Sequence, residues 1–143
     1  MTKKKQKVEW INRNIVHSNR YIGLCLSNDA LVAEAKRLEV TGSLAWPDNN
    51  HATTWQLVSK KDGKCSIVCI NPIDGTRDEA RQTVALLAHE AVHVWQAIME
   101  DLNEDSPGSE IEAYGIQSLL HDLLVAYDTL RGKTRMAKRK KQL

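Results

Sequence analysis

The chain has 143 residues, enough for one domain with a buried core and too few for two. Its 42% hydrophobic and 27% charged residues are ordinary for a globular protein, and its apolar runs are too short and interrupted for a transmembrane helix. The formal net charge of +2 conceals an acidic body with basic ends: 11 of the 20 Lys and Arg lie in segments 1–7 and 131–143, against 18 acidic residues between them.

The basic N-terminus (Met1 to Lys7) is followed by Glu9, Asn12, Arg13 and Asn14 rather than an apolar core. No signal peptide is therefore expected, and the expected location is the cytoplasm. Val8–Val16 is weakly amphipathic and reads as a helix. Tyr21–Leu26 fits a short strand or a helix end, and periodicity does not decide between them. Asn28 or Asp29 then caps a helix to about Val40, with Leu31, Ala35 and Leu38 inward. Gly42–Asn50 is a loop, and its Trp46-Pro47-Asp48-Asn49-Asn50 supplies turn chemistry.

A β-hairpin follows: Thr53–Lys60, a tight turn at Asp62-Gly63, and Lys64–Ile70, ended by Asn71-Pro72. Cys25, Cys65 and Cys69 are odd in number and read as buried free thiols rather than a disulfide framework. Thr76-Arg77-Asp78-Glu79 fits a capping box that opens a helix at about residue 77, running to about Leu102. Asn103–Ser109 is a polar loop. A last amphipathic helix spans about Glu110 to Leu130, with Ile116, Leu119, Leu120, Leu123, Tyr127 and Leu130 as its core stripe. The expected fold is α+β, with a small, mostly antiparallel sheet packed on the apolar stripe of the helix that opens at about residue 77. The division is a basic tail (1–7), one domain (8–130) and a basic, disordered C-terminal tail (131–143).

Within that helix, His89-Glu90-Ala91-Val92-His93 carries the chemistry. A step of four residues turns a helix by about 400°, so both imidazoles share a face one turn apart. This spacing suits one Zn²⁺ at about 2.0–2.1 Å from each ring nitrogen, one ion per chain. Glu90 stands beside them as general base toward a water whose pKa the metal lowers toward ~7. Val84, Leu87, Ala91, Val94, Trp95, Ile98 and Leu102 form the apolar stripe, which assigns Trp95 to the core and turns the histidines away from it. The rival reading of the same residues is a solvated polar helix face.

A catalytic zinc needs a third protein ligand, with one position left open. Glu110 and Glu112 at the start of the last helix are the main candidates. Ser109-Glu110-Ile111-Glu112 reads as a capping box that occupies Glu112, and helix phase sets Glu110 on a polar face with Tyr114, Gln117 and His121. Both arguments favour Glu110; Glu112 stays as the alternative, with Glu104 and His121 behind it.

His89 to His93 followed by a downstream Glu resembles the gluzincin branch of zinc metallopeptidases, whose third ligand stands in Glu-x-x-Ala or Glu-x-x-Ser; Glu110-Ile111-Glu112-Ala113 matches it with Glu110 first. The wider string, His89 to Gln96 and Ser106 to Gln117, is similar to small metallopeptidase-like proteins of phages and prophages. The resemblance implies a zincin-like fold, with the hairpin on the HExxH helix and the third ligand on the last helix. It also implies peptide-bond hydrolysis, and an extended substrate pairing with the strand Lys64–Ile70. Where such enzymes often carry an acidic residue after the Glu-x-x-Ala/Ser step, this chain has Tyr114. Gln96 and Asp122 are then the candidates to support a ligand histidine, and Tyr114 and His121 the candidates to stabilise an oxyanion.

The expected partner is a peptide or protein substrate, with no membrane. Two alternatives stand beside it. One is a catalytically silent zincin-like phage protein that binds a host factor. The other uses the basic tails to bind nucleic acid through phosphate contacts, although no aromatic residue is interleaved there for base stacking. The plainer reading of the tails is a pair of solubilising ends.

Overall fold

The computed structural model describes residues 6–11, 18–73 and 77–139, with 133–139 by backbone alone. In chain order the elements are β1 (Glu9–Trp10), β2 (Tyr21–Cys25), α1 (Asn28–Arg37), β3 (Ala52–Ser59), β4 (Gly63–Ile70), α2 (Arg77–Asp101) and α3 (Ser109–Arg139). The hairpin closes where the sequence predicts: Ser59 pairs with Gly63, and Gly63 takes φ +84°, a conformation that costs glycine little. The fold is α+β, as expected.

The sheet is mixed, with strand order β1-β2-β4-β3. β1 pairs antiparallel with β2, β3 antiparallel with β4, and β2 parallel with β4. The parallel pair is reached by a long crossover: α1 and the loop after it bring the chain to Ala52 at the Cys25 end of the sheet, and β3 runs back to the other end before β4 starts parallel to β2. This topology corrects the expectation for Lys64–Ile70. β4 is an interior strand with a neighbour on each side, so it has no free edge for a substrate; the edge strands are β1 and β3, and β3 is the one beside β4.

Strand alternation divides the core in two. Ile22, Leu24, Val68 and Ile70 face Leu87, Ala91, Val94, Trp95 and Ile98 of α2 and Leu119, Leu123 and Ala126 of α3. Cys25, Ile67 and Cys69 face the other way, onto Ala30 and Leu31 of α1. Each fully buried Leu or Val contributes about 1.5–3 kcal/mol relative to exposure, so the α2 stripe is what docks this helix on the sheet. Trp95 lies in that core, while Val84 and Leu102 at the ends of the predicted stripe are largely exposed. All three cysteines are free and buried.

Local signals explain the remaining differences. Glu9–Trp10 is a strand, not part of a helix, because β2 supplies backbone partners that include Ile22, whose carbonyl accepts from Ile11 N–H at 2.9 Å; residues 12–16 of that segment lie outside the described residues. Ser27, not Asn28 or Asp29, caps α1 and accepts from Ala30 N–H at 3.2 Å. α2 begins at Arg77, and Thr76 of its expected capping box lies outside the described residues. α3 opens at Ser109, and the Gly108 carbonyl already accepts from Glu112 N–H at 3.0 Å, so Ser109 is inside the helix rather than its cap. The capping argument that separated Glu110 from Glu112 therefore falls away. The backbone of α3 stays helical through the basic segment as far as Arg139.

Candidate functional site

The α2 helix places His89, His93, Gln96 and Glu100 at steps of four, three and four residues, which is one face of a helix. The opposite face is buried against the sheet, so this row is held out toward solvent by packing rather than by chance orientation. β3 runs beside it. On β3, Trp55 and Leu57 point to the α1 side, and alternation turns Ala52, Thr54 and Gln56 toward α2. Between them lies an open cleft of about 510 Å³, walled by Ala52, Thr53, Thr54 and Gln56 on one side. His89, Glu90, His93, Gln96, Ala97 and Glu100 form the other.

His89 Nε2 and His93 Nε2 are 3.1 Å apart, with the rings edge to face. Two nitrogens bound at about 2.0–2.1 Å to one tetrahedral zinc stand roughly 3.3 Å apart, so the pair matches two corners of such a site. Gln96 Oε1 lies 3.2 Å from His93 Nδ1. With Gln96 Oε1 as acceptor, His93 carries its proton on Nδ1 and its Nε2 lone pair faces His89. Glu90, only 4% exposed, accepts a 2.6 Å hydrogen bond from Thr54 Oγ1 through Oε2. One carboxylate oxygen is thereby anchored to the opposite wall, and the group is aimed into the cleft between the two histidines' turns.

The sequence candidates on α3 are elsewhere. Glu110, Glu112, Tyr114 and His121 are exposed and do not line this cleft, and neither does Asp122, which lies 3.3 Å from His121 Nδ1 through Oδ1. Glu104 in the preceding loop is also exposed and off the cleft. Among the described residues, no third His, Cys, Asp or Glu joins the two histidines in a group able to hold a metal ion. The imidazole pair fits zinc; a complete ligand set is not assembled.

One polar cluster at the far end of the cleft escaped sequence reasoning. Arg20, 7% exposed, forks onto Asp101 at the end of α2, with Nε to Oδ2 at 2.7 Å and Nη2 to Oδ1 at 2.9 Å. Its Nη1 donates to Gln56 Oε1 at 3.0 Å and, at 3.3 Å each, to the Cys65 carbonyl and Ser66 Oγ. Lys64 Nζ adds a 2.9 Å contact to Asp101 Oδ1. The Arg20 guanidinium, with Lys64 behind it, holds the Asp101 carboxyl below the usual carboxylate range. A lone Arg before an apolar run gives no sequence signal for this; Thr54 and Gln56 were missed as well, although their alternation with Trp55 and Leu57 offered the signal.

Comparison with protein-family models, with curated proteins and with solved structures finds no match to this chain. The site therefore stands on its own geometry. Among the described residues no helix is long and apolar enough to cross a membrane.

Proposed function

We propose that the chain is a zinc-dependent peptide hydrolase of the gluzincin type, acting on a peptide or protein in the cytoplasm. The observation that carries this reading is the 3.1 Å approach of His89 Nε2 to His93 Nε2 on the rim of a cleft that also contains the buried Glu90. His89 and His93 would be the metal ligands; Glu110, with Glu112 as alternative, would complete the set only by moving to the cleft, which neither lines in this structure. Zinc held by His89 and His93 would supply Lewis acidity toward a carbonyl and make water more acidic. Glu90 takes the proton from the attacking water and returns it to the leaving amine. Thr54 fixes the Glu90 carboxylate so that one oxygen keeps its orientation while the other meets the water. Gln96 holds the His93 ring in the tautomer a ligand needs.

A second reading, a zincin-like protein that binds a partner without hydrolysis, draws on the exposed position of Glu110 and Glu112 off the cleft. Nucleic-acid binding through the basic ends involves Lys3, Lys4, Lys5, Lys140 and Lys141, which lie outside the described residues.

Elemental analysis separates these readings. About one zinc per chain, lost in His93→Ala and in Glu110→Ala or Glu112→Ala, with peptide cleavage abolished by Glu90→Gln, is the expected result. A wild-type chain that takes up no zinc when offered the metal overturns the hydrolase reading and leaves His89 and His93 as a polar helix face.

A further inference from the structure

Gln56 is a side chain of the cleft whose orientation is fixed by the Arg20 cluster beside it. Its Oε1 accepts from Arg20 Nη1 at 3.0 Å and from Ser66 Oγ. A guanidinium donates only, so the atom facing Arg20 is the amide oxygen, and the amide nitrogen is turned the other way. Arg20 is itself immobilised by its two bonds to Asp101 and by the Cys65 carbonyl. Gln56 is nevertheless exposed and lines the cleft, and no acceptor on the described residues meets its Nε2. A polar group held in one orientation by buried neighbours, with two unspent donors facing a groove, binds an acceptor at little further entropic cost.

We propose that Gln56 is a substrate-binding residue that donates from Nε2 to a backbone carbonyl oxygen of a bound peptide. It rests on the peptide reading above. Thr54, which anchors the general base, is two residues away on the same strand, a rise of roughly 6.6–6.8 Å. The carbonyl that Gln56 meets therefore belongs to a residue about two positions from the bond that is cut. Its contribution is to binding and register, not to the bond-breaking step, so it is read in KM rather than in kcat.

The test uses Gln56→Glu in the full chain. A carboxylate oxygen keeps the bonds to Arg20 and Ser66, while the atom facing the cleft becomes an acceptor. The probes are two pools of acetylated random hexapeptides, one amidated and one with a free C-terminus, titrated while the side-chain amide signal of Gln56 is followed by NMR. The expected result is a saturable shift of that signal and binding of the amidated pool roughly five- to tenfold weaker in Gln56→Glu, with unfolding midpoint unchanged. Equal affinity in the variant, a Gln56 signal indifferent to saturating peptide, or a loss confined to the free-acid pool overturns the proposal. Peptides that shift the signal but are never cut by the zinc-loaded chain sink the hydrolase reading and leave the Gln56 assignment standing.

Discussion

Thr54 Oγ1 donates to Glu90 Oε2 at 2.6 Å, tying the buried carboxylate of α2 to the edge strand across the cleft. Thr54→Val keeps the shape and removes the donor, leaving a charged group buried without its partner. The expected cost is about 1.5–3 kcal/mol in urea unfolding, with Thr54→Ser restoring most of it. Equal stability of the Val variant and wild type would show that the bond contributes nothing net.

The Arg20–Asp101 fork makes stability sensitive to acid. The Asp101 carboxyl is depressed in the folded chain, chiefly by its hydrogen bonds from Arg20. Its contribution is thus complete above the unfolded carboxylate pKa of about 3.9 and is lost as pH falls through the lower folded value. Asp101→Asn should flatten the loss of stability between pH 4 and more acidic solution, as measured by urea midpoints across that range. Arg20→Met, which leaves Asp101 with its Lys64 contact alone, should cost about 1.5–3 kcal/mol at neutral pH.

Gly115 of α3 packs against Trp95: a Cβ there would overlap the indole ring. Ala is the better helix former by about 1 kcal/mol, yet Gly115→Ala must push a rigid, 2% exposed ring or part the helices. Net destabilisation of about 1–3 kcal/mol is expected, with a shift in tryptophan fluorescence. A more stable variant would mean the interface has slack.

If zinc binds as proposed, Gln96→Leu frees His93 Nδ1 from its acceptor and should weaken zinc affinity by about 10–100-fold, read by competition with a chromophoric chelator. Gln96→Glu, which retains an acceptor, should bind at least as well as wild type. Identical affinity in the Leu variant would remove Gln96 from the site.

The thiols should be silent in the native chain. Cys25 and Cys69 face each other across the parallel pair, with Cys25 Sγ donating to the Ser27 carbonyl at 3.1 Å and Cys69 Sγ to the Ile67 carbonyl at 3.8 Å; the neighbouring thiols hold the Cys25 pKa down and that of Cys69 up, and burial pushes the Cys65 thiol up. A disulfide-exchange reagent should find no reactive thiol until denaturant is added, and then all three. Rapid labelling of the folded chain would contradict this.

The long helices and the hairpin were legible because each carries a repeated signal: apolar steps at helical spacing through Leu87, Ala91, Val94 and Ile98, and an Asp62-Gly63 turn between β-branched runs. The near contact of His89 and His93 followed from the same helical geometry. Strand order was harder. The continuous burial of Cys65–Ile70 is what a strand covered on both faces produces, and the unbroken run Cys65-Ser66-Ile67-Val68-Cys69-Ile70 offered that signal. Nothing local announces that β2 inserts beside β4, or that Arg20 meets Asp101, because those contacts are made by segments remote in the chain. The start of α3 failed for a smaller reason: a one-residue shift at a helix end moves Ser109 from cap to first turn, and the ranking of Glu110 over Glu112 depended on it.

The parallel register of β2 on β4, with Tyr21 opposite Cys65 and Cys25 opposite Cys69, also sets the order in which the chain assembles. The β3–β4 hairpin closes over a short turn and belongs to the microsecond events of folding, whereas β2 must find its place across α1, a loop and the whole hairpin. Substitutions in the hairpin should therefore slow refolding, and substitutions in β2 should chiefly speed unfolding. The strand that ends last in place gives Ile22 and Leu24 to one half of the core and Cys25 to the other, so neither half is complete before the final step.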